Sequence, residues 1–450
     1  LVLIVVSLLA LRFMPFFLRL GARIISRSNQ APGVLAFAQM ERQPQTMLRM
    51  VLLIATSLAF SLYLLSFLAT QQVNTSDNVK FQVGADFSGT IAAAAQTPQI
   101  QQSKTFLSDL QQKYTAIPGV ASASVGYIDD FMLSSGQLNF ARPDVSVTAV
   151  NTDTYAQTAI WTPTYSTQSL ATLTSQLAAH RADATSKNLV YAVVDSALWN
   201  ELGLTPGATF TLPTTSTDWQ HVQFVALAEA TYLPRDAHSS TGLLVDYQSY
   251  AAVYAKGHQG QQLQPNYVWL HAHNDANSLA SIHHAQPDLQ DLQTIMVQAQ
   301  TDPIQLDTTG ILIFGLIAIL VLATIGIFLS AWLSITRRLT SFTLLRALGM
   351  SPRQIAATLL WEQGTTYAIA LLLGLGIGWI LTRLVSLAFP LVNRSVSNIQ
   401  AVLPLHTVFP AAWVSLLFGC FVIVCAILLL ALARYAAQPA ISQTLRLNED

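Results

Sequence analysis

Residues 336–362 read TRRLTSFTLLRALGMSPRQIAATLLWE. They lie between two long apolar runs and carry four arginines, Arg337, Arg338, Arg346 and Arg353. Phe342, Leu345 and Leu348 recur at helical spacing, so the first half reads as a short amphipathic helix with Gly349 as its C-cap. Ser351 suits the N-cap of a second helix and Pro352 its first position. A helix-turn-helix of this size is too short to fold as a domain. Between two membrane spans it is long enough to be a handle that another protein grips.

The composition agrees with that setting. The chain has 450 residues, is 52% hydrophobic and only 10% charged, whereas soluble domains carry about 25% charged residues. The net charge of −1 hides a segregation. Residues 71–303 hold 18 acidic against 8 basic side chains. The segments expected inside hold Arg19, Arg23, Arg27, Arg42, Arg49, Arg337, Arg338, Arg346, Arg353, Arg434 and Arg446. Cytoplasmic flanks of spans are rich in Lys and Arg, so this asymmetry orients the protein. The two cysteines, Cys420 and Cys425, fall in an apolar run and point apart on a helix, which gives packing residues and no disulfide framework.

The expected layout follows from the apolar runs. Residues 1–20 read as a span remnant, apolar through Leu18 apart from Ser7 and Arg12, with Arg12 tolerable near the inner side. Residues 21–45 read as a cytoplasmic linker and an amphipathic helix, in which Val34, Leu35, Phe37, Ala38 and Met40 would lie on the membrane surface. Spans are expected at 46–70, 304–335, 363–389 and 409–435, with a short outer loop at 390–408 and a cytoplasmic tail at 436–450. Trp332, Trp379 and Trp413 fall near span ends, where interfacial aromatics are favoured. Gly374 and Gly378 form a GxxxG, which permits close helix packing.

Residues 71–303 are a different material, polar and punctuated by Pro and Gly. β-like runs appear at 79–83, 145–150, 189–194, 209–212, 222–227, 243–245 and 267–270, with helical stretches at 105–115, 169–179 and 288–300. The mixture points to an extracytoplasmic α+β domain rather than a sandwich. The fold class is therefore a membrane α-helical bundle, four complete spans plus the remnant, carrying a large α+β domain.

Known chemistries are hard to find. No Gly-Lys dipeptide occurs, which rules out a Walker A phosphate loop, and HExxH and GxSxG are absent. His271, His273, His283 and His284 with Asp275 are the local cluster that zinc would suit, though solvated loop histidines explain them as well. Asp129 and Asp130 read as a turn rather than a catalytic pair. Few charges fall within the spans, which argues against an ion-coupled carrier with a midplane site.

The stretch 336–364, continuing through Glu362 to Gly364, resembles the signature of FtsX-like permeases, the membrane subunits of MacB-type ABC transporters. The likeness rests on Arg337 and Arg338, on the LLRALG segment of Leu344, Leu345, Arg346, Ala347, Leu348 and Gly349, and on the small turn and Gln-bearing helix that follow. LAFAQMERQPQTMLRMVLL looks like the family's surface helix and its Arg-x-Pro entry to the first span, here Arg42 and Pro44. FQVGADF, IPGVASASV and ELGLTPGATFTL in the polar domain are loosely similar. The family often has an acidic residue shortly before LLRALG, where this chain has Thr340 and Ser341.

The resemblance implies a four-span module whose cytoplasmic loop holds a coupling helix, and whose remnant belongs to a preceding module of a two-module permease. It implies docking on a cytoplasmic ABC ATPase dimer, with ATP bound by that partner and no cofactor in this chain. A second permease module, in the same polypeptide or another chain, and membrane lipids are the other expected partners; no nucleic acid is expected. The implied function is mechanotransmission, in which ATP hydrolysis elsewhere moves the outer domain to export or extract a lipid, lipoprotein, peptide or drug. A non-transporting scaffold that regulates an extracellular partner, such as a cell-wall hydrolase, is the alternative, and a membrane-tethered enzyme a third. The expected location is a cell membrane, compatible with a bacterial origin.

Overall fold

The computed structural model describes Ala36 and residues 44–91, 106–132, 144–212, 222–234, 241–258, 261–273, 275–336, 349–396 and 408–437. Helix α1 (Pro44–Val83) leads to strand β1 (Phe87–Thr90), helix α2 (Phe106–Thr115) and strands β2 (Val120–Met132) and β3 (Asp144–Val150). Helices α3 (Leu170–Ala179) and α4 (Arg181–Lys187) precede strands β4 (Leu189–Asp195), β5 (Thr209–Phe210), β6 (Gln223–Ala230) and β7 (Thr241–Asp246). Then come helix α5 (Tyr247–Gly257), strand β8 (Tyr267–Ala272), helix α6 (Ala276–Ala285), strand β9 (Gln290–Asp291) and helix α7 (Leu292–Thr301). Three long helices follow: α8 (Pro303–Thr336), α9 (Pro352–Val396) and α10 (Ala411–Ala437). The chain forms two compact units, a helical bundle and a sheet domain spanning Asn74–Asp302.

In the bundle, α1, α8, α9 and α10 each contain a segment long and apolar enough to cross a membrane. All four contribute to one core, through Val51, Ile54, Leu58 and Leu62 of α1, Ala323 and Ile327 of α8, Ala370 and Leu371 of α9, and Leu417 and Phe421 of α10. Half of the apolar segment of α1 is buried, against 11% of that of α8, so α1 is the central helix. The outward faces of α8 and α10 expose Phe314, Leu322, Leu416 and Leu430, as lipid-facing surfaces do.

Helix α1 has 40 residues and α9 has 45. At 1.5 Å per residue they are about 60 and 68 Å long, roughly twice a hydrocarbon core, so both must project beyond it. The second helix expected within residues 336–362 starts at Pro352, as its cap residues implied, and the first lies outside the described residues. The helix that starts at Pro352 continues through the following apolar run. No proline lies between Arg353 and Phe389, and the hydroxyls of Thr365 and Thr366 bond back to the carbonyls of Trp361 and Glu362.

Among the described residues the sheet domain has nine strands, in the order β5-β6-β4-β7-β3-β2-β8-β1-β9. It is mixed: β3 runs parallel to β7 and β4 to β6, while β4 and β7 are antiparallel. Alternate residues enter different cores. Val190, Ala192 and Val194 pack with Val147, Val245 and Tyr250, whereas Val193 and Leu244 pack with Leu173, Tyr155 and Trp269. Central strands covered on both sides read as continuous apolar runs, which is why β4 and β7 were visible in the sequence. A third core joins β1, β2 and β8 to α2 through Phe87, Val125, Val268 and Leu110.

Three sequence expectations in this domain are corrected. Residues 79–83 are the last turn of α1, which ends at Gly84 with φ +71° and its N–H on the Lys80 carbonyl. Asp129 and Asp130 lie on β2, opposite Val147 and Ser146, not in a turn. Residues 290–291 pair with β1, so the helix expected from 288 starts at Leu292, capped by the Asp291 carboxylate.

Asp86 ties the edge of this sheet together. Its carbonyl accepts from the Leu292 N–H at 2.9 Å. Its carboxylate accepts from the Ala272 N–H at 3.0 Å and lies 2.6 Å from His271 Nδ1. Close by, Phe81 packs edge-on against Tyr165 at 5.7 Å, and burial pushes the Tyr165 phenol up to about 12.

Candidate functional site

Of the residues expected to couple to an ATPase, Arg337, Arg338, Leu344, Leu345, Arg346, Ala347 and Leu348 lie outside the described residues, as does Arg42. Pro44 is the first residue of α1. What the structure describes is the second half of the loop and the helix it enters.

Gly349 has φ +93°, a conformation that ends helices and that glycine adopts without a Cβ penalty. Two residues on, the Gln354 N–H donates to Ser351 Oγ at 3.3 Å and the Ser351 N–H donates to Gln354 Oε1 at 2.9 Å. This reciprocal pair is a capping box, with Pro352 at the first helical position where no N–H is needed. From there Ile355, Leu359, Glu362, Gln363, Thr366, Tyr367 and Ala370 form a buried stripe at helical spacing, while Arg353 and Trp361 are exposed. Glu362 is only 6% exposed, which the charge pattern of the spans had not suggested.

The capping box is open to a direct test. Ser351→Ala removes one half of it and should weaken the first turn by about 1 kcal/mol. Amide exchange over residues 352–356 should then rise about fivefold, the factor that energy corresponds to. Unchanged exchange would mean that packing alone holds the helix start.

Further along α9, Gly374 and Gly378 meet α1 at close range. A Cβ placed on Gly374 would lie 2.9 Å from Leu58 Cδ2 and 3.1 Å from the Ala55 carbonyl oxygen. One on Gly378 would lie 2.9 Å from Leu62 Cδ1 and 3.2 Å from Ala59 Cα. The glycine pair therefore faces a second small pair, Ala55 and Ala59, also four residues apart. Both partners advance in the same direction, so the helices run parallel here. On another side of α1, a Cβ on Gly326 of α8 would come within 2.9 Å of Leu53 Cδ1.

Residues 313–439 match the family model described as FtsX-like permease C-terminal. The chain carries an FtsX-like permease domain. The match takes in most of α8, the arginine-rich loop, the capping box, the glycine pair of α9 and all of α10. The four helices long and apolar enough to cross a membrane are those of a multi-pass membrane protein. No curated protein matches it.

The histidine cluster does not assemble a metal centre in the part that is described. His271 is on β8 beside Asp86, and His283 and His284 sit at the end of α6. Among the described residues no three His, Cys, Asp or Glu side chains are placed to hold an ion.

The sheet domain holds one polar constellation that the sequence had not suggested. Asp246 ends β7 and is 1% exposed. Its carboxylate accepts from Thr152 Oγ1, from the Ser249 N–H and hydroxyl, and from Arg181 Nε at 3.2 Å. Arg181 also reaches Asp153 at 3.1 Å. Burial alone would lower the guanidinium pKa, but the bonds and charges of Asp246 and Asp153 outweigh it and raise it. These bonds make the cluster a structural knot that ties the segment after β3 to β7, α4 and α5.

Proposed function

We propose that this chain is the permease subunit of an ABC-type system, driven by a separate cytoplasmic ATPase that docks on the loop of residues 336–362. The observation that carries this reading is the family match over 313–439, which takes in most of α8, all of α9 and α10, and the loop between α8 and α9. Arginine bias supports a cytoplasmic loop and an outer sheet domain. Arg337, Arg338 and Arg346 would meet acidic groups on the ATPase, and Leu344, Leu345 and Leu348 would fill an apolar cleft there. Movement of the loop would pass along the spans to the outer domain, which would handle a substrate outside the bilayer. The length of α1 and α9 suits that task, since each extends past the membrane at one end or both.

The test is ATP hydrolysis by the reconstituted complex. Arg346→Glu and Leu345→Asp should each lower permease-dependent stimulation at least tenfold, the loss of about 1.4 kcal/mol or more at a central interface position. Full stimulation in both variants would overturn the coupling role.

A further inference from the structure

We propose that α9 and α1 act as one lever, joined by the contact of Gly374 and Gly378 with Ala55, Leu58, Ala59 and Leu62. The inference rests on the permease reading above and names the joint through which that movement passes.

The argument is steric. At both glycines the space for a Cβ is already filled, and at both the obstacle includes backbone: the Ala55 carbonyl oxygen at 3.1 Å and Ala59 Cα at 3.2 Å. Side chains can rotate away from a sliding neighbour, but backbone cannot. Leu58 and Leu62 then seat in the notches the glycines leave, one helical turn apart. Two such notches in step fix the axial register, since a slip of one turn would put either Leu58 against Ala370 or Leu62 against Thr382, positions that already carry a Cβ. Lipid offers no hydrophobic drive for helix association, so close packing of this kind is what holds two spans together.

Continuity at both ends gives the joint its role. Helix α9 starts at the capping box beside the arginine-rich loop and reaches the glycines without a break. Helix α1 leads from Ala55 and Ala59 without a break to Val83, four residues before β1. A displacement of the loop therefore has a helical path to the start of the sheet domain, with one non-covalent step in it.

A control is built into the same helix. Gly376 lies between the two glycines in sequence, yet nothing lies within 4 Å of a Cβ placed on it. Gly378→Leu and Gly376→Leu add the same side chain two residues apart, one into the joint and one into open space.

The experiment uses the full chain with its co-purified ATPase in lipid nanodiscs. Amide exchange is followed over residues 74–91, with and without ATP plus vanadate. The difference caused by nucleotide should persist in Gly376→Leu and fall at least about fivefold in Gly378→Leu. Equal behaviour of the two variants would overturn the joint. Arg346→Glu, run in parallel, separates the two readings: if it too keeps the difference, the coupling loop itself is wrong. If it abolishes the difference while Gly378→Leu does not, only the joint fails. Should Gly378→Leu not assemble, Gly378→Ala, which adds only the Cβ that meets Leu62 and Ala59, is compared with Gly376→Ala instead. The nucleotide difference should be smaller in the first than in the second. Equal differences in the two would overturn the proposal.

Discussion

Gly126→Ala is expected to unfold the sheet domain under conditions in which the native chain is stable. Gly126 sits in the middle of β2, paired with Val150 on one side and Tyr267 on the other. A Cβ there would lie 2.3 Å from the Ala149 carbonyl oxygen and 2.9 Å from Trp269 Cζ3. The first obstacle is backbone of the neighbouring strand and moves only if the β2–β3 ladder opens. The second cannot withdraw, because Trp269 is held by Tyr155, edge-on at 5.1 Å, and by the tilted ring of Tyr267 at 4.9 Å. Overpacking in a closed core costs about 1–3 kcal/mol, and separating a central strand pair adds lost hydrogen bonds, so about 4 kcal/mol or more is expected. Near-ultraviolet circular dichroism, dominated by the packed aromatics, should lose its native signal. Gly257→Ala is the matched control: nothing lies within 4 Å of its Cβ position, so it should leave that signal unchanged. A Gly126→Ala chain that melts with the native one would refute the packing described.

Arg181→Met should be the most damaging loss of a single polar side chain in the same domain. It keeps much of the apolar stem but strips Asp246 of its charged partner. Removing one member of a buried ion pair costs about 3–5 kcal/mol. Asp246 keeps its bonds from Thr152 and Ser249, so the lower end, about 3 kcal/mol, is expected. For a domain of this size that is a fall of roughly 6–12 °C in melting temperature. Arg181→Lys retains charge without the fork that spans Asp246 and Asp153, and should fall between. The double variant Arg181→Met with Asp246→Asn should recover part of the loss, because no carboxylate is then left buried without its cation. A purely additive double variant would show that the two side chains do not act as a pair.

What could be read from the sequence divides along physical lines. The four spans and the polar domain announce themselves by composition, since a bilayer and water demand different residues. Strands β4 and β7 announce themselves because both faces are buried. Strand β2 does not: VASASVGYIDDFM alternates small and polar residues, and its carboxylates suggested a turn. It is held as a strand by non-local partners, including the Asn266 side chain, which both donates to and accepts from the backbone of Ile128 at 2.8 Å. Residues 79–83 were the opposite case, a β-branched segment that continues a helix already formed. The Ser351–Gln354 box was half legible, as a cap without its reciprocal partner. Gly374 and Gly378 were visible as a motif, but the identity of the helix they face depends on tertiary structure. Arg181 stands 28 residues from Asp153 and 65 from Asp246, with no local pattern to link them.

The edge of the sheet has a topological consequence. Strand β1, where the chain enters the domain, lies directly beside β9, where it leaves, with Phe87 opposite Asp291. Paired residues of antiparallel strands have Cα atoms about 5 Å apart. The roughly two hundred residues between them thus begin and end at almost the same point, and Asp86 fastens that point by accepting from Leu292. A segment with such termini is a cassette. It can fold on its own account, and a short linker could close it into a free-standing protein once the helices are cut away. Another cassette with the same narrow base could be set between the same two helices without rethreading either one, so that this domain could be exchanged while the helices stay as they are.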